Sequence, residues 1–101
     1  MQVLKSESYV ENKTVTYAES AGMMVLKLNV VGRRGWPDRL FVYKGRAFFI
    51  EFKKVGEKPT KLQEAIHARI RGHGIRVYVV NNWPDGERLI DAIVINYPNI
   101  H

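Results

Sequence analysis

The stretch Gly35 to Lys53, GWPDRLFVYKGRAFFIEFK, decides the fold. Arg39 to Tyr43 and Arg46 to Lys54 are apolar-rich runs separated by Lys44-Gly45, the pattern of a β-hairpin. Pro37 has no N–H to give a ladder, so it belongs at the start of the first strand and not inside it. Side chains alternate along a strand. Phe48, Ile50 and Phe52 therefore take one face, and Ala47, Phe49, Glu51 and Lys53 the other. A two-residue loop at Lys44-Gly45 pairs Tyr43 with Arg46 and sets Asp38 opposite Glu51. A loop at Gly45-Arg46 sets Asp38 opposite Lys53 instead. Both registers keep Asp38 on the face of Glu51 and Lys53; only an odd-length loop would remove it. Two acids facing each other repel, and they persist where a cation sits between them.

Upstream, Ser6 is an N-cap and the helix after it runs to about Ala21, with Val10, Val15, Tyr17, Ala18 and Ala21 apolar and Gly22 as its stop. Glu7 and Glu11 lie one turn apart on one of its faces. Met23 to Val31 has strand composition, and Gly32-Arg33-Arg34-Gly35 is a loop in which two glycines bracket two arginines. Downstream, Val55 to Pro59 is a loop. Thr60 opens a second helix to about Gly72, and Gln63 completes a capping box. Leu62, Ile66 and Ile70, with Ala65 beside them, are its expected buried stripe; His67, one turn after Gln63 on the same face, is expected in solvent, with an approach to the site as the alternative. Ile75 to Val80 is apolar enough for a central strand. Asn81 to Gly86 reads as a turn, and Glu87 to about Val94 as a short last helix, with a strand through Ile93-Val94-Ile95 as the alternative. Trp36 is expected in the core; Trp83 and the Leu89 to Val94 stripe either close the core or meet a second subunit. The expected architecture is α/β: one domain over residues 1–101, a mixed sheet flanked by helices in the order α-β-β-β-α-β-α.

A chain of 101 residues has room for one small domain. It has no cysteine, which excludes disulfides and thiolate zinc sites, and His67, His73 and His101 show no ligand spacing. MQVLKSESYVEN has no apolar h-region and no run is long enough to span a membrane, so an intracellular location is expected, with no membrane partner. Net charge is +6 and unevenly spread: Arg33 to Arg76 holds twelve Lys and Arg against four acids, a net +8, leaving −2 for the remainder. Such a basic centre fits a polyanion, above all nucleic acid.

Hydrolysis of a phosphodiester builds negative charge on the phosphoryl and leaving oxygens, which a hard divalent cation stabilises while it lowers the pKa of its water. Mg²⁺ takes oxygen ligands and keeps several waters. Asp38, Glu51 and the backbone carbonyl of Phe52 are the candidate ligands, and Lys53 is placed to orient water or stabilise charge. No small-molecule cofactor is called for. Arg33, Arg34 and Arg39 flank Asp38 and are expected on phosphates, with Lys54, Lys58 and Lys61 following the backbone further on.

Pro37-Asp38 followed by Glu51-Phe52-Lys53 resembles the PD-(D/E)xK nuclease superfamily. Gly32-Arg33-Arg34-Gly35-Trp36-Pro37-Asp38-Arg39, Ile50-Glu51-Phe52-Lys53, Gln63 and Gly74-Ile75-Arg76-Val77 are together similar to the VRR-NUC family, in particular its small stand-alone phage and bacterial members. The match runs from about Glu7 to Val80 and leaves the segment after Asn82 uncovered. The resemblance implies a restriction-endonuclease-like core and a nuclease dependent on Mg²⁺ or Mn²⁺. It implies metal-binding acids at Asp38 and Glu51 and a catalytic lysine at Lys53. It further implies that Glu11, with Glu7 as the alternative, is the first-helix glutamate, reaching the metal directly or through water, and that Gln63 is a glutamine near the active site. The stand-alone members look like Holliday junction (four-way junction) resolvases acting as homodimers on branched DNA, which would work in the cytoplasm of a bacterial or phage-infected cell. Flap or other branched-DNA cleavage, and a basic nucleic-acid-binding module without catalysis, are the alternative functions.

Overall fold

Lys44 and Gly45 both have positive φ, 47° and 81°. That is the backbone of a type I′ turn, whose twist matches the strands it joins. It closes a hairpin of β2 (Arg39–Tyr43) and β3 (Arg46–Phe52) in the first of the two expected registers, with Tyr43 opposite Arg46 and Arg39 opposite Ile50. The computed structural model describes residues 6–96, so His101 lies outside the described residues. Around the hairpin stand α1 (Glu7–Ser20), β1 (Met24–Lys27), α2 (Lys61–Gly72), β4 (Arg76–Val80) and α3 (Trp83–Asn96). The sheet order is β1-β2-β3-β4; the first two pairings are antiparallel and β3 with β4 is parallel. This is the expected α-β-β-β-α-β-α mixed sheet.

Alternation along the hairpin divides the molecule. Phe41 and Tyr43 of β2 and Phe48, Ile50 and Phe52 of β3 face Val10, Val15 and Ala18 of α1 and Ile90 and Ile93 of α3 in one buried cluster. Phe41 and Phe48 are cross-strand partners whose rings stack at 5.0 Å. The opposite face of β3 carries Glu51 and receives α2. Ser6 caps α1 by accepting the Tyr9 N–H at 3.1 Å. Arg71 of α2 ties that helix to the sheet by donating to the Val77 carbonyl at 2.6 Å. Among the described residues no helix is long and apolar enough to cross a membrane.

Several expectations need correction. The strand expected over Met23 to Val31 ends at Lys27. The Leu28 N–H still bonds the Asp38 carbonyl at 3.0 Å, and then the chain turns at Val30–Arg33 with Val31 87% exposed. The second hairpin strand ends at Phe52 and not at Lys54. The strand expected in the centre from Ile75 to Val80 is an edge strand, β4, and its apolar composition comes from α2 and α3 packing on it. The last helix begins at Trp83 and not at Glu87, and no strand forms through Ile95. Pro84 is tolerated in a first turn, where an N–H has no helical acceptor, and the Asn82 side-chain oxygen accepts the Asp85 N–H at 2.9 Å. Trp83 meets Tyr17 edge-on at 5.5 Å and Ile90 and Ile93 are buried, so α3 closes the core.

Helices α1 and α3 cross where Gly86 lacks a side chain: a β-carbon there would strike the Thr14 hydroxyl oxygen. Gly86→Ala improves helix propensity by about 1 kcal/mol but overpacks this crossing. It is expected to lower stability by about 1–3 kcal/mol in chemical denaturation. Adding Thr14→Ala to it should recover most of the loss.

Candidate active site

Asp38 ends the irregular segment just before β2, and its Oδ2 accepts the Phe52 N–H at 2.8 Å. The bond fixes the carboxylate across the end of the hairpin. Glu51, on β3, is 2% exposed. Its Oε2 accepts a hydrogen bond from Gln63 Nε2 at 3.1 Å and lies 3.7 Å from Lys53 Nζ. His67 Nε2 stands 3.7 Å from the other oxygen, Oε1, and neither of these two buried atoms has a hydrogen-bond partner. The capping box of α2 is formed: Thr60 Oγ1 accepts the Gln63 N–H at 3.1 Å, and Gln63 Oε1 accepts the Thr60 N–H at 2.9 Å. With its carbonyl oxygen committed to the backbone, the Gln63 amide turns its NH₂ to Glu51. One residue thus caps the helix and orients the carboxylate.

Electrostatics follow from this packing. Burial pushes the Glu51 carboxyl up to about 7, helped by the charges of Asp38 and Glu7 and opposed by Lys53. Burial also raises Asp38, with Glu11 adding to it, against the Phe52 N–H and the lysines Lys53 and Lys27. Glu7 is raised by burial and then by Asp38. His67 is pushed down by burial and by the Arg71 and Lys53 charges, so it sits neutral against Glu51. Three acids driven towards their protonated forms at one end of the sheet are what a cation would relieve.

Among the described residues no three His, Cys, Asp or Glu side chains are grouped to hold an ion by themselves. Two carboxylates with backbone and water oxygens suffice for Mg²⁺. The partnerless Glu51 Oε1 supplies a lone pair with nothing to accept, so the residues present fit a hard divalent cation.

Asp38, Glu51, Lys53 and Gln63 are therefore brought together. Glu11 is held elsewhere at close range: its Oε2 accepts from Arg39 Nε at 2.6 Å, and its charge acts on Asp38. That pair half-buries Arg39, whereas Arg33, Arg34, Lys54, Lys58 and Lys61 are exposed. Two neighbours of the site, Glu7 and His67, rank second to other readings in the sequence and stand closer to Glu51 than expected. Glu7, rather than Glu11, is the first-helix acid whose charge acts on Glu51; its spacing of one turn from Glu11 was the available signal. His67 is 1% exposed and not in solvent. The buried residues of α2 are correspondingly His67 and Ile70, with Gln63 and Ile66 half-buried, while Leu62 is 49% exposed. The helix is turned towards Glu51, where polar side chains find partners.

No family model matches the chain. A solved structure described as a VRR_NUC domain superimposes with a TM-score of 0.78 at 33% identity, covering 84% of this chain and 94% of that one. A protein of Acyrthosiphon pisum secondary endosymbiont phage 1 named "Putative nuclease p44" is 36% identical over 83 residues, 81% of this chain and 88% of that protein. The chain belongs to the VRR-NUC family. The mixed sheet and its flanking helices are the VRR-NUC nuclease fold, and the four convergent side chains lie on its hairpin and second helix.

The raised Glu51 carboxyl makes a signed prediction for the metal-free VRR-NUC chain. Between its ordinary value of 4.5 and about 7 the folded state holds a proton that the unfolded state has lost, so stability falls as pH rises through this window. His67, pushed down from 6.5, acts with the opposite sign below that pH. Comparison with Glu51→Gln isolates the carboxyl together with its coupling to His67, 3.7 Å away. In chelator, the variant's stability advantage should widen from pH 4.5 to about 7 and then stay constant, by on the order of 3 kcal/mol. A gap that does not change with pH would mean that Glu51 titrates normally. Gln63→Glu keeps an acceptor for the Thr60 N–H but sets a second carboxylate against Glu51. It should move the Glu51 midpoint above about 7, read by carboxyl NMR.

Proposed function

We propose that this VRR-NUC chain is a divalent-metal-dependent endonuclease of branched DNA, a four-way-junction resolvase that works as a homodimer inside the cell. The observation that carries the nuclease reading is the buried, partnerless Glu51 Oε1, grouped with Asp38 and Lys53 at the end of the hairpin. The branched substrate, the dimer and the location extend the resemblance to the stand-alone members of the family and rest on it.

Asp38 and Glu51 would hold the cation, Mg²⁺ or Mn²⁺, with the Phe52 carbonyl. When bound, it supplies a more acidic water and neutralises charge on the phosphoryl oxygens. The chain's own groups do the rest. The Phe52 N–H holds the Asp38 carboxylate in one orientation, and the Gln63 amide does the same for Glu51. The Lys53 ammonium, its side chain only 14% exposed, sets positive charge beside the reacting phosphate, where a half-buried cation is screened less than one in water. Glu11 orders Arg39 at the substrate side of Asp38. The exposed Arg33, Arg34, Lys54, Lys58 and Lys61 bind phosphates. A module that only bound DNA through these cations would gain nothing from two raised carboxylates beside them, because the acids repel phosphate.

The reading is tested with end-labelled four-way junction, flap and linear duplex in Mg²⁺, Mn²⁺ or EDTA. The junction should be cut with either metal and not in EDTA. Asp38→Asn, Glu51→Gln and Lys53→Ala should each slow cutting on the order of 10²–10³-fold while still binding the junction. Absence of cutting of every substrate by the unaltered chain in both metals refutes the nuclease reading. Preferential cutting of the flap transfers the assignment to flap cleavage.

A further inference from the structure

Beside the acid face, the arginine loop and α2 enclose a cavity of about 390 Å³ lined by Arg33, Arg34, Trp36, Ile66, Arg69 and His73. The loop reaches α2 because Gly35 has no side chain. It sits at φ +88°, and a β-carbon there would lie 3.0 Å from Leu62 Cγ and 3.1 Å from Ile66 Cγ1. Ile66, Arg69 and His73 recur at helical spacing, so α2 turns one stripe to this cavity and another, Gln63 and His67, to Glu51. The guanidinium groups of Arg33, Arg34 and Arg69 make no hydrogen bond or ion pair among the described residues.

The chemistry is therefore specific. Three uncompensated guanidiniums suit phosphate oxygens. A half-buried indole next to a half-buried isoleucine suits the flat face of a base. A base inside a duplex has neighbours on both faces, so only an unpaired one is free to stack here. The volume is at the lower end of ligand pockets and fits a single nucleotide better than a helix. Trp36 precedes the site acid Asp38 by two residues, so one short segment of chain carries both the cavity wall and the acid.

We propose that this cavity receives one unpaired nucleotide of the DNA substrate, its base against Trp36 and its phosphates on Arg33, Arg34 and Arg69. The assignment deepens the nuclease reading and takes the identity of its polymer from it. A branched substrate presents such a nucleotide where its strands part.

The test is made in EDTA, so that nothing is cut. Two duplexes of equal length are compared, one fully paired and one with a single extrahelical 2-aminopurine nucleotide. The unaltered chain should bind the second on the order of tenfold more tightly, the size of one base–aromatic stack, and quench its fluorescence. Trp36→Leu and the exposed-site Arg69→Ala should each bring this preference close to unity, with a much smaller change on the paired duplex. Arg69→Ala keeps the test decisive if the tryptophan variant does not fold. Equal affinity of the unaltered chain for both duplexes, or a preference that survives both substitutions, overturns the proposal. Preference without any cutting in metal refutes the nuclease assignment and upholds the cavity; normal cutting without preference refutes the cavity alone.

Discussion

A carboxylate kept almost wholly out of water in an inner strand is the constraint on which the rest of this structure depends. Glu51 has strands on both sides and α2 above it. Burying such a group is costly unless its charge is matched or removed. Each neighbour reduces that cost in part. Lys53 returns along the same strand face at the period of two, Gln63 gives a hydrogen bond, and His67 stays neutral so that it adds no charge of its own. The part left over shows as an acid that ionises only near neutrality. A cation bound beside this carboxylate would relieve that cost.

The same constraint explains why the acids are spread over different elements. Asp38 comes from the segment before β2, Glu51 from β3, and Glu7 and Glu11 from the first turns of α1. Asp38, Glu7 and Glu11 each raise the carboxyl of at least one other acid, and Glu51 is raised by Asp38 and Glu7. Arg39 takes Glu11, and the Phe52 N–H takes one oxygen of Asp38. The fold therefore leaves only Glu51 with an oxygen that is both buried and unoccupied among the acids described.

Much of this could be read from the chain because short-range rules settle it. The Lys44-Gly45 turn fixes the register, and register alone carries Asp38 to Glu51. Thr60 and Gln63 announce the helix start by a local reciprocal bond. What could not be read depends on partners remote in sequence. An aliphatic stripe through Leu62 and Ile66 is the better amphipathic pattern in isolation. The actual rotation of α2 is decided by Glu51, which gives Gln63 and His67 a reason to be inside. The early start of α3 was obscured because Pro84 in a turn-like run reads as a breaker, although a first helical turn accepts it. The exposure of β4 at the sheet edge follows from strand order, which composition does not carry.

The capping box has a wider consequence. It fixes the phase of α2 from its first turn, so that one stripe addresses Glu51 and the adjoining stripe addresses the arginine loop. Each residue added to a helix rotates everything beyond it by roughly 100°. A single-residue insertion after Gln63 would therefore carry His67 away from the acid and scatter the cavity wall, though every side chain remained. The loop from Val55 to Pro59, lying ahead of the cap, is free of that restriction. Length variation is thus tolerable on one side of Thr60 and ruinous on the other, and a helix cap becomes the index mark from which two neighbouring surfaces take their alignment.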